Sequence, residues 1–280
     1  MAPRLHQAEG GPAMKTQTTL SKDEPDGGAS GPIMRVRGLG HSYGEREVLK
    51  GLDFEVGRGE LMCVVGPSGV GKTTLLECLT GLRRPSEGEV LFDGERIEAP
   101  PRGLAIVFQD YSRSLMPWLS VLDNVVLPLR SAGVAKDERE RTAREALAEV
   151  GLSDFTGHYP WQLSGGMQQR VAIARALAYR PAVVVMDEPF ASVDAQTRAD
   201  LEDLLLRVRE HLGITVLLVT HDIDEAVYLS DRVLALGGKP AGIRSLLTVD
   251  LPAPREQVAT KSLPRFAELR SQVYRLIRDV

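Results

Sequence analysis

Residues 66–73 read Gly66-Pro67-Ser68-Gly69-Val70-Gly71-Lys72-Thr73, behind the apolar run Leu61-Met62-Cys63-Val64-Val65 and ahead of Thr74-Leu75-Leu76-Glu77. No other stretch constrains the chain as much, because it places a buried strand, a glycine-rich loop and a helix in immediate succession. A loop that aims several backbone N–H groups at one concavity needs glycine wherever a side chain would block the approach, and Gly66, Gly69 and Gly71 meet that need. Lys72 adds a cation suited to the outer oxygens of a triphosphate, Thr73 a hydroxyl suited to Mg²⁺, and the helix that opens there turns its positive end toward both. The segment Gly66–Thr74, with Pro67, Ser68 and Val70 completing its wall, is thereby assigned to a nucleoside triphosphate and its metal ion.

Length and charge bound the rest. A chain of 280 residues suits one core domain carrying an inserted subdomain. A net charge of −4 with both signs mixed along the chain gives no reason to expect a nucleic-acid partner. The two cysteines, Cys63 and Cys78, flank the loop in apolar surroundings and read as reduced core residues. No apolar run approaches the roughly 20 residues that cross a bilayer, so any service to a membrane is expected from a peripheral position. Residues 1–32 mix Gly, Pro, Ser, Thr and charges without an apolar core and read as a flexible tail rather than a secretory signal.

Folded structure is expected from Ile33 or Met34, with Met34, Val36 and Leu39 in an extended pattern that leads to His41-Ser42-Tyr43. Strands are expected at Leu52–Val56 and Leu61–Val65 around the turn Gly57-Arg58-Gly59, and at Glu89–Phe92 and Leu104–Phe108, the last followed by Gln109. The helix after the glycine-rich loop is predicted to run to about Leu82. From Asp110 to about residue 180 the pattern turns helical, which marks the inserted subdomain, and Leu163-Ser164-Gly165-Gly166-Met167-Gln168-Gln169-Arg170 opens a helix through Ala178. Ala182–Met186 and Thr215–Val219 are near-continuous apolar runs of the kind that parallel strands buried on both faces carry. The first delivers Asp187 and Glu188, the second His221. Parallel strands bring such ends to one edge, where Asp187 suits Mg²⁺, Glu188 suits a water, and His221 suits a phosphate oxygen.

Taken together these residues resemble the ATP-binding subunit of an ABC transporter. Residues 66–73 match the Walker A motif, Val183–Glu188 the Walker B strand, Leu163–Arg170 the ABC signature, Gln109 the Q-loop and His221 the switch histidine; the signature is the specific element. The resemblance covers about Met34 to the C-terminus. It implies an α/β fold: a RecA-like P-loop NTPase core with an N-terminal antiparallel β subdomain and an inserted helical signature subdomain, an ATPase domain over 33–262 and a C-terminal helix over 263–280. It implies ATP and Mg²⁺ as cofactors. Lys72, Gln109, Glu188 and His221 would be catalytic, Thr73, Gln109 and Asp187 would serve the metal, and Tyr43 would stack on adenine. Ser164, Gly165 and Gly166 would reach the γ-phosphate bound to a second copy in a head-to-tail dimer.

The helical insertion would receive a membrane permease, with Met116-Pro117-Trp118 at the groove; the residues alone leave Trp118 equally open to a core role. The D-loop, Ala191-Ser192-Val193-Asp194, departs from the commoner Ser-Ala-Leu-Asp. The wording around Trp118, Asp194–Arg198 and Thr220–Arg232 is similar to nitrate, sulfonate and taurine importers. That resemblance implies a peripheral subunit on the cytoplasmic face of the membrane, served indirectly by a solute-binding protein. The competing reading is a soluble ABC ATPase of translation or DNA maintenance, whose usual second cassette or coiled-coil insertion is not in evidence. A kinase or GTPase is disfavoured by the signature and by the lack of an Asn-Lys-x-Asp sequence.

Overall fold

The computed structural model describes residues 31–110 and 114–278. All but Gly31 and Pro32 of the expected tail lies outside the described residues. Two sheets organise the rest. The first is antiparallel, in the order β2-β1-β4-β5, from β1 (Met34–Tyr43), β2 (Arg46–Val56), β4 (Glu87–Phe92) and β5 (Glu95–Arg96). The second runs β10-β9-β3-β8-β7-β6, built from β3 (Leu61–Val65), β6 (Leu104–Val107), β7 (Val183–Asp187), β8 (Thr215–Val219), β9 (Arg232–Gly237) and β10 (Gly242–Thr248). Its strands are parallel except β10, which pairs antiparallel to β9.

The apolar runs explain the layering. Along β3, Leu61, Cys63 and Val65 face one hydrophobic core and Met62 and Val64 the other. Strand alternation thus sends a continuous apolar segment into two cores at once, which only a doubly covered sheet allows. One core closes under the antiparallel sheet and α1 (Lys72–Leu79). The other closes under α2 (Val121–Ser131), α3 (Lys136–Glu149), α4 (Gly165–Ala178) and α5 (Ala195–Leu212), with α6 (Ile223–Leu229) and α8 (Pro264–Arg278), while α7 (Gln257–Lys261) packs beside α6 and α8. Helices α2, α3 and α4 pack on one another, and α8 lays Phe266, Leu269 and Val273 into the core against α6 and β9. Cys63 and Cys78 are both free and buried.

Three of the departures from the sequence expectations have a clear physical reason. Helix α1 ends at Leu79, a turn before Leu82, because Gly81 takes φ +73 and a Cβ there would stand 2.6 Å from the Ala99 carbonyl carbon. Strand β2 begins at Arg46, its exposed outer half being held by pairing with β1 from Tyr43 onward rather than by burial. Strand β10 was not expected: its residues are half-buried with a register shift between Ile243 and Ser245, which leaves no clean alternation to read.

Candidate active site

The loop between β3 and α1 is shaped by what its glycines avoid. A Cβ on Gly66 would sit 2.9 Å from the Leu236 carbonyl oxygen, and one on Gly71, at φ +116, would meet the Val48 and Leu49 side chains at 2.9 Å. Gly71 is the N-cap of α1 and has no side-chain cap, so the first backbone N–H groups of the helix stay available to a ligand. The cradle therefore fits a phosphate chain. Lys72 is 7% exposed and its Nζ donates to the carbonyls of Gly66 at 2.9 Å and Pro67 at 3.3 Å. Burial lowers its ammonium below the ordinary lysine value, while Glu188 and Asp187 pull the other way. The lysine is thus folded back on the rim of its own loop, its charge satisfied by backbone carbonyls.

Asp187 and Glu188 are successive residues aimed in different directions. Thr73 Oγ1 donates to Asp187 Oδ2 at 3.4 Å. Burial, with the neighbouring Glu188 charge, raises the Asp187 carboxyl above the usual range. A hydroxyl and a carboxylate so close are hard oxygen ligands of the kind Mg²⁺ takes. Among the described residues no three acidic, histidine or cysteine side chains gather into a metal cage.

Glu188 leaves the strand through a left-handed backbone at φ 43, a conformation costly for a residue with a Cβ, while its N–H still donates to the Val219 carbonyl at 2.8 Å. This turn throws its carboxylate toward two other loops. Gln109 Nε2 donates to Oε2 at 3.3 Å, and His221 Nδ1 lies 3.0 Å from the same oxygen. One carboxylate oxygen thereby joins the ends of β6, β7 and β8. Sequence placed Glu188 and His221 at one edge, and only the family resemblance added Gln109; nothing in the sequence signalled that Gln109 and His221 would share one oxygen.

Tyr43 closes the far side of the site, 45% exposed, with its hydroxyl 3.3 Å from Thr74 Oγ1. Ser164 lies elsewhere, as the N-cap of α4, accepting from the Met167 N–H at 3.3 Å. Ser164 and Gly165 are exposed, and Gly166 is buried because a Cβ there would stand 2.3 Å from Thr197 Cγ2 at the start of α5. The structure brings Lys72, Thr73, Asp187, Glu188, Gln109 and His221 together; among the described residues no hydrogen bond or ion pair joins Ser164, Gly165 or Gly166 to them. Of the two readings open for Trp118, the core role falls, since the residue is 71% exposed. Two contributions went unread in the sequence: Trp161, 70% exposed just before the signature, and Arg83, which lies over the Tyr43 ring.

A triphosphate cradle, a hydroxyl and carboxylate for a hard cation and a held acid at the ends of parallel strands define a P-loop nucleoside triphosphatase. The family described as ABC transporter matches residues 49–191. An aliphatic sulfonates import ATP-binding protein of Xanthomonas axonopodis pv. citri is 46% identical over 81% of this chain and 90% of its own length. A nitrate transport protein of Klebsiella oxytoca is 39% identical over 89% of this chain and 97% of its own. Among solved structures, the dimeric, post-hydrolysis state of an ATP-binding cassette bound to ADP and Pi is 34% identical, with a TM-score of 0.67 over 78% of this chain and 99% of that one. The chain belongs to the ABC transporter family of ATP-binding cassettes and is an ATPase. No helix among the described residues is long and apolar enough to cross a membrane.

Proposed function

We propose that this chain is the ATP-hydrolysing subunit of an importer for a small oxyanion of the nitrate or sulfonate kind, acting as a head-to-tail pair on separate membrane permease subunits. The observation that carries the chemistry is the Glu188 carboxylate, 3.3 Å from Gln109 Nε2 and 3.0 Å from His221 Nδ1 beside the Lys72 cradle. Bound Mg²⁺ would supply charge neutralisation for the β- and γ-phosphates, with Thr73, Asp187 and Gln109 as the residues serving it. Lys72 holds the outer phosphate oxygens. Glu188 orients a water in line with the γ-phosphate and takes its proton, and His221 donates to a phosphate oxygen. Water attacks phosphorus, the bond to the bridging oxygen breaks, and ADP and phosphate leave.

The signature residues Ser164, Gly165 and Gly166 serve the partner's nucleotide, which the exposure of Ser164 and Gly165 at the N-terminus of a 14-residue helix supports. The relatives named for nitrate and sulfonate import support the oxyanion class. They weigh against a soluble role in translation or DNA maintenance. The exposed Trp118 supports the helical region as the permease's docking surface. Peripheral association with the cytoplasmic face of the membrane follows from that docking.

Co-purification tests the proposal. The tagged Glu188→Gln chain, drawn with ATP from gently solubilised membranes, is expected to bring an integral membrane protein at about one-to-one stoichiometry. Recovery of the chain alone, or with ribosomal or repair proteins, would leave the ATPase and overturn the transport role.

A further inference from the structure

The ring of Tyr43 is held from three sides. Its hydroxyl lies 3.3 Å from Thr74 Oγ1, and its ring stands edge-to-face with the His41 ring, centroids 4.9 Å apart at 83°. On one face the Arg83 guanidinium carbon stands 4.8 Å from the ring centroid. Arg83 is itself tied down, since its Nε donates to Glu77 Oε2 at 2.5 Å and its backbone N–H to the Glu77 carbonyl at 3.0 Å. With a cation over one face and the hydroxyl beside Thr74, Tyr43 still stays 45% exposed, which leaves part of it open to a ligand.

We propose that Arg83, anchored by Glu77, is a positioning residue for the purine base, backing Tyr43 so that the ring's other face is presented ready-made to adenine. The inference rests on the reading of Tyr43 as the base platform. A cation over one face of a phenol ring is attracted to its π-electrons and draws them away from the other face, which favours stacking with an electron-rich purine. A ring already held loses little rotamer freedom when the base arrives, so more of the stacking energy appears as affinity. The Thr74 contact ties the ring to the phosphate loop two residues after Lys72, which sets the base platform and the phosphate cradle in one register. The resulting order is guanidinium, phenol, purine.

The test compares a ligand with a base to one without. In the full chain carrying Glu188→Gln, so that ATP is not consumed, Mg-ATP and inorganic tripolyphosphate are titrated calorimetrically against Tyr43→Ala, Arg83→Ala, Arg83→Lys and Glu77→Gln. Arg83→Ala is expected to raise the Kd for ATP about two- to fivefold, the size of an exposed cation–π contact, and to leave tripolyphosphate unchanged. Arg83→Lys should recover most of the loss and Glu77→Gln should show part of it. If Tyr43→Ala weakens ATP binding while Arg83→Ala and Glu77→Gln do not, the positioning role is overturned and the base platform stands. If Tyr43→Ala has no effect, both fail. Equal weakening of both ligands would mark a general loss of structure, and tighter ATP binding would show Arg83 competing with the base; either result overturns the proposal.

Discussion

Glu188 joins three loops because its backbone is bent to reach them. At φ 43 it turns the carboxylate out of the strand and into the shared grip of Gln109 and His221. Glu188→Gln keeps size and shape but loses the proton acceptor, so phosphate release is expected to fall by about 10²- to 10⁴-fold with ATP affinity retained. Near-normal turnover would remove Glu188 from its role. A second carboxyl nearby behaves differently. Glu225 is 4% exposed, accepts from Thr220 Oγ1 at 2.8 Å, and leaves Oε1 buried without a partner. Burial pushes its pKa from 4.5 up to about 8, with Glu202 and Asp222 adding to the rise and the Thr220 bond and Arg198 opposing it. A folded value above the unfolded one means the folded chain holds the extra proton between about pH 4.5 and 8. Stability from this group is therefore full below that window and lost as pH rises through it. Glu225→Gln is expected to flatten the fall in unfolding temperature from pH 6 to pH 8.5, and an unchanged slope would show that the group does not carry it.

Among the elements, two strands of the antiparallel sheet and two of the helices meet through positions where nothing larger than hydrogen fits. Gly88, at φ +73 in β4, would put a Cβ 2.3 Å from the carbonyl oxygens of Arg37 and Gly38 in β1. Both neighbours are backbone and cannot swing aside. Gly88→Ala is expected to cost at least about 2 kcal/mol in denaturant unfolding and to weaken ATP binding through the sheet that carries Tyr43. Gly166 makes the corresponding approach between α4 and α5, with Thr197 Cγ2 at 2.3 Å from its would-be Cβ. Here the obstacle is one methyl group. Gly166→Ala should impair hydrolysis by separating the signature from the D-loop helix, and Thr197→Ser should restore it, because serine keeps the hydroxyl that bonds Asp194 at 2.6 Å. Failure of that rescue would place the effect of Gly166→Ala on the nucleotide rather than on the helix contact.

At the scale of the molecule, the proposed pairing makes each chain half of a site. The cradle, the Asp187 and Thr73 pair and the Glu188 cluster lie together, while Ser164 and Gly165 stand exposed on a helix N-terminus that, among the described residues, no hydrogen bond or ion pair joins to them. In solution the Glu188→Gln chain is expected to shift from monomer to dimer on adding ATP, as followed by light scattering after gel filtration. Gly165→Asp sets a negative charge against the partner's triphosphate and should abolish that dimer while each copy still binds ATP. A dimer that survives Gly165→Asp would contradict the head-to-tail arrangement.

Much of this was readable along the chain, because a phosphate loop, a buried parallel strand and a helix start are local patterns set by nearest neighbours. Gly66–Thr73, the runs ending in Asp187-Glu188 and near His221, and the helix opened by Ser164 all lie where composition and spacing put them. The remainder depends on approaches between segments far apart in sequence, which no local pattern records. Gln109 and His221 meet on Glu188 across 79 and 33 residues. Arg83 finds Tyr43, Gly166 is pressed on Thr197, and Trp118 lies outside the core. Even the left-handed turn at Glu188 belongs to this second group: a glutamate adopts it only where the surrounding strands and loops hold it there.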